Sequence, residues 1–72
     1  MEDELENITA TKPIADEGTL VVFQGTDEDG AIVNFVVEHR YAQDVVNALN
    51  AGEEPVCAVP DYMILARTKV PQ

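Results

Sequence analysis

Residues 19–38 read TLVVFQGTDEDGAIVNFVVE, two apolar runs separated by the acidic segment Asp27-Glu28-Asp29-Gly30. Leu20, Val21, Val22 and Phe23 lie before the segment and Ile32, Val33, Phe35, Val36 and Val37 after it, the β-branched and aromatic residues that suit a pleated surface. The segment fits a type I turn closed by a glycine at positive φ, where the absence of a Cβ removes the steric cost. That turn sets Asp27 opposite Ala31, and every further pair follows: Phe23 faces Phe35, Val22 faces Val36, Val21 faces Val37 and Gln24 faces Asn34. A slip of one residue would pair the two faces wrongly.

The odd-numbered face of this hairpin carries Val21, Phe23, Val33, Phe35 and Val37, a continuous apolar seat for a helix. On the even face Leu20, Val22, Ile32 and Val36 stand beside Gln24, Asn34 and Glu38. A sheet with one wet face alternates more cleanly than this. Something is therefore expected to cover part of the even face: the first eighteen residues of the chain, a second copy, or a foreign partner.

After the hairpin the apolar period changes. Ala42, Val45, Val46 and Leu49 fall at i, i+3, i+4 and i+7, which predicts a helix over Arg40–Ala51 with Tyr41 and Ala48 extending its buried face. Asn50 or Gly52 supplies the stop, with Pro55 beyond it, whereas neither Glu38 nor His39 is a preferred start. Arg40 and Asp44 are spaced to pair on the helix surface. Two short runs follow, Val56–Val59 and Tyr62–Val70, separated by Pro60-Asp61, and they read as a second hairpin. Residues 1–18 hold few apolar anchors (Leu5, Ile8, Ile14) among Glu2, Asp3, Glu4 and Glu6 and read as a mobile acidic arm. The expected architecture is α+β: an arm over residues 1–18, then one small domain over 19–72. That domain is a three- or four-stranded antiparallel sheet with one helix on one face, ordered ββαβ or ββαββ.

Seventy-two residues bury only about 60% of the surface of the unfolded chain, so the core is small. Cys57 is the sole cysteine, which excludes an internal disulfide. No run approaches the roughly 20 apolar residues of a membrane-spanning helix, and the acidic start lacks the regions of a signal peptide. The expected setting is the cytoplasm, that of a host if the chain is viral.

Fourteen acidic residues against four basic ones give a formal charge of −10. Nine of those acids and a single base lie within residues 1–30. Phosphate repulsion then opposes direct binding of nucleic acid or an anionic membrane.

No arrangement of residues points to chemistry. Asp27-Glu28-Asp29-Gly30 has the carboxylates of a calcium loop at the wrong spacing: with Gly30 at the sixth position, the first and last would be Gly25 and Val36. His39, Cys57 and Asp61 are the types needed for a nucleophile, a base and an orienting acid, but nothing in the order of residues brings them together. A lone cysteine in an apolar run is first a small buried hydrophobe. No catalytic, cofactor or metal site is expected.

These observations leave a noncatalytic protein that binds another, basic, protein. The candidate contact residues are the acids Glu2, Asp3, Glu4, Glu6, Asp16, Glu17, Asp27, Glu28 and Asp29 and the even-face residues Leu20, Val22, Ile32 and Val36. One form of this is an inhibitor of the viral anti-defence kind, whose carboxylates, Glu53 and Glu54 included, imitate phosphates in a basic groove. The alternative is a structural subunit that assembles with copies of itself or with a lattice through its sheet and arm.

Overall fold

The computed structural model describes residues 5–68. Along the chain these form β1 (Leu5–Asp16), β2 (Leu20–Thr26), β3 (Ile32–Glu38), α1 (His39–Asn50), β4 (Val56–Pro60), a single 3-10 turn (Asp61–Met63) and β5 (Ile64–Thr68).

Strands β2 and β3 pair in the register set by the turn: Phe23 with Phe35, Val22 with Val36, Val21 with Val37 and Gln24 with Asn34. Asp27 N–H donates to Ala31 O at 3.0 Å and Gly30 N–H to Asp27 O at 3.1 Å, while Gly30 takes φ 86°. Asp27 also accepts from the N–H groups of Asp29 and Ala31 through Oδ1, an Asx turn that fastens the loop to its own backbone. The Phe23 and Phe35 rings stack with centroids 6.1 Å apart, and both side chains are fully buried.

The helix starts one residue before the expected position and has no side-chain cap. Its end is strongly marked. Gly52, at φ 81°, donates to Leu49 O and Glu53 donates to Ala48 O, the paired bonds of a Schellman motif. Ala42 is buried against the odd face, with Val45, Val46 and Leu49 packed around it. Tyr41 departs from the expected face and stays half exposed beside Arg40, whose guanidinium lies 4.7 Å from its ring centroid. Arg40 bonds to Glu38, at 3.0 Å, instead of Asp44.

Three expectations are corrected. The sheet has five strands, in the order β4-β1-β2-β3-β5. Residues 5–16 of the supposed arm form β1, an interior strand flanked by β2 and β4; residues 1–4 lie outside the described residues. Backbone pairing on both sides holds this strand where its few apolar side chains would not: only Ile8 and Ala10 are buried. Nor do β4 and β5 form a hairpin, since they occupy opposite edges of the sheet.

That last fact dictates the shape. Laid flat, the two edge strands would stand about 19 Å apart at the usual strand spacing. The link from Pro60 to Ile64 contains only the 3-10 turn and could span at most about 15 Å if fully extended. The sheet therefore curls toward closure, the form of a partly open five-stranded barrel. Ile8, Val21, Phe23, Val33, Phe35 and Val59 fill its interior, and α1 lies over the end where β3 stops.

Candidate functional site

The other end of the barrel is closed by charge. Arg67 on β5 pairs with Val33 and Glu6 on β1 pairs with Val59, so both side chains stand on the inner face beside buried residues. The Arg67 guanidinium donates to Glu6 Oε2 and lies 3.6 Å from Asp27 Oδ2. Its pKa is raised above the ordinary arginine range, chiefly by the hydrogen bond to Glu6, with desolvation opposing and the charges of Glu6, Asp27 and Asp61 adding. The cluster ties the first strand, the hairpin tip and the last strand together.

Two of the acids singled out from the sequence are thus turned to internal work. Asp27, with a side chain only 7% exposed, holds the turn and faces Arg67, and Glu6 faces Arg67 as well. Glu28 and Asp29 remain exposed at the tip, Glu28 accepting from Asn7 Nδ2 at 3.0 Å. Asp16 and Glu17 are exposed at the opposite end of β2, where Asp16 Oδ1 accepts from Gly18 N–H and Oδ2 lies 3.6 Å from His39 Nε2. The seven residues of β2 put about 20 Å between these two acidic ends. Glu53 and Glu54 are exposed between α1 and β4. Glu2, Asp3 and Glu4 lie outside the described residues.

The apolar half of the predicted site falls on the outer face of the curled sheet. Leu20, Val22 and Val36 are half-buried there and Ile32 is 39% exposed. Register adds Leu5 on β1 and Val56 on β4, both well exposed. No element of the described residues lies over this face, and β1, from the first of the three candidate covers, lies beside β2 in the sheet. Asn34, in the middle of the face opposite Gln24, buries Oδ1 without a hydrogen-bond partner among the described residues.

His39 and Cys57 are not brought together. His39 lines a cleft with Asp16 between α1 and the end of β1, whereas Cys57 lines a different one. Burial pushes the Cys57 thiol above its ordinary pKa, the opposite of what a nucleophile needs.

Two features escaped the sequence reading. Gly25 packs so closely on β1 that an added Cβ would lie 2.4 Å from Thr9 O. An isolated glycine within a strand is the available signal for such an approach. The second is a cleft of about 320 Å³ between β3, α1 and β4, flanked by the exposed rings of Tyr41 and Tyr62. It arises because β5 pairs with β3 only as far as Phe35, a tertiary fact with no local trace.

The chain matches no family model, no curated protein and no solved structure.

Proposed function

We propose that this chain is a noncatalytic module that binds a basic protein through the outer face of its sheet. The observation that carries the reading is the uncovered apolar row Leu20, Val22, Ile32 and Val36 on β2 and β3, with exposed acids at both ends of the hairpin. Burying such a row contributes about 25 cal/mol per Å² of apolar surface against the entropic cost of association, while the flanking charge steers the encounter and selects the partner. Open five-stranded barrels often bind oligonucleotides on their outer strands, but a formal charge of −10 opposes a phosphate backbone here. The same charge opposes close self-association, which favours a foreign partner over a second copy.

Imitation of nucleic acid is the more specific form of this reading. Its support is the exposed carboxylates; their division between two ends of the hairpin, with Glu6 and Asp27 committed to Arg67, favours recognition of a basic rim around an apolar centre instead. The test uses a partner purified from the native host. Val22→Thr with Ile32→Thr should speed dissociation with little change in salt dependence, and Glu28→Gln with Asp29→Asn should slow association and flatten its dependence on salt. A partner whose binding is indifferent to both pairs of substitutions overturns the reading. A stable homo-oligomer in solution that binds no basic protein would favour the structural-subunit alternative.

A further inference from the structure

Strand β4 is an edge with its backbone turned to a cleft. Ala10 N–H donates to Pro55 O at 2.9 Å, and the ladder alternates from there, so Cys57 and Val59 exchange bonds with β1. Val56 and Ala58 consequently direct their N–H and C=O groups away from β1. No hydrogen bond reaches those groups among the described residues. An open strand of this kind is a template for pairing with another chain. Pro60, which has no N–H, ends the template on one side.

Beside this edge runs the cleft of about 320 Å³, with Cys57–Pro60 on one wall and Val36–Glu38 on the other. Its volume is at the lower limit for small-molecule sites and its sides are open, which suits side chains carried by an extended backbone better than a free ligand. The charge around it is mainly acidic, since Arg40 beside Tyr41 is bonded to Glu38 on the cleft wall and Arg67, which feels Asp61, donates to Glu6. Glu53 and Glu54 precede β4, Asp61 follows it, all three are exposed, and β4 itself carries no charge.

We infer that β4 accepts an added strand: an extended peptide segment of a partner protein, apolar and β-branched over about five residues, with lysine or arginine on both flanks. Its backbone pairs with Val56 and Ala58, its apolar side chains enter the cleft between Tyr41 and Tyr62, and its basic flanks meet Glu53, Glu54 and Asp61. A second copy is a poor occupant, because antiparallel pairing of β4 with β4 would bring Glu53 and Glu54 of one copy to Asp61 of the other. The inference rests on the protein-binding reading above but assigns a different surface, which shares only Val36 with the outer-face row.

The probe is a synthetic peptide of alternating valine and threonine with two lysines at each end, titrated into the full chain. Saturable binding should slow amide exchange at Ala58 by at least tenfold, and a peptide N-methylated at alternate residues should bind at least tenfold more weakly. Ala58→Pro removes an outward N–H and breaks no bond of the β1–β4 ladder, so the folded variant should lose the interaction, while Val22→Thr with Ile32→Thr should retain it. Absence of saturable binding, unchanged exchange at Ala58 when the peptide is saturating, or equal binding of the N-methylated peptide overturns the inference. Partner binding that is lost in the outer-face variants and unchanged in a folded Ala58→Pro variant overturns strand addition alone and leaves the protein-binding reading standing.

Discussion

Between β2 and β3 a four-residue turn sets the whole ladder without a slip, whereas β1, lying against the same β2, shifts register between Ala10 and Lys12 and again between Pro13 and Ala15. The hairpin is specified locally. Its turn residues, its alternation and its facing phenylalanines all demand one register, and a slip would expose the core face. The first strand buries only Ile8 and Ala10 of its own and takes two of its supports from far along the chain: β4 for its second ladder and Arg67 as the partner for Glu6. Only the pairing of β1 with β4 and the contact of Glu6 with Arg67 require long loops to close; the pairing with β2 closes across Glu17–Thr19.

The largest expected effect lies in the hairpin. Phe23→Ala or Phe35→Ala removes half of the stacked pair and should cost about 3 to 5 kcal/mol, a large share of the stability of a small domain. Thermal or urea unfolding of either variant measures it. Near-native stability in both would show that the core does not centre on these rings.

Next come two glycines that separate the regions. Gly25→Ala drives a methyl group to 2.4 Å from the Thr9 carbonyl oxygen, backbone that cannot swing aside, and should cost about 1 to 3 kcal/mol by prising β1 from β2. Gly30→Ala meets no atom within 4 Å and is penalised only for its positive φ, about 1 kcal/mol. Amide exchange should locate the first loss across the β1–β2 pairs and the second at the hairpin tip. The reverse order of cost would mean that β1 is not held against Gly25.

The smallest effect concerns Cys57, which faces Ile8 across the β1–β4 ladder. Burial raises its pKa from 9.0 in the folded chain, so the folded state holds the thiol proton more tightly than the unfolded state. The resulting contribution to stability is fully present below pH 9 and is lost as pH rises through the folded pKa. Alkylation at pH 8 should accordingly be slower in the native chain than in urea, with Cys57→Ala well folded. Equal rates would place the thiol in water and β4 away from the core.

Much of this was legible in the residues. The hairpin register followed from Asp27 to Gly30, the helix from the spacing of Ala42, Val45, Val46 and Leu49, and its end, to within two residues, from Asn50 or Gly52. Strand β1 was not, because Pro13 and two register shifts break its alternation and because Glu6, an inward-facing acid, looks like a surface residue until Arg67 is placed opposite. For the candidate site, the even-face residues were legible as an apolar excess, while the internal engagement of Asp27 and Glu6 was not.

By itself, then, the sequence determined what depends on neighbours within a turn or two: strand against strand across a short loop, helical periodicity, the net charge and its opposition to phosphate. The tertiary structure alone decided that β4 and β5 sit at opposite edges, that the sheet curls because a 3-10 turn must join them, and that the curl leaves an open edge beside a cleft. Those outcomes rest on pairings between residues some fifty positions apart, such as Glu6 with Val59 and Ile8 with Cys57. Alternation in a segment states which residues point the same way, but carries no mark of which distant segment will lie beside it.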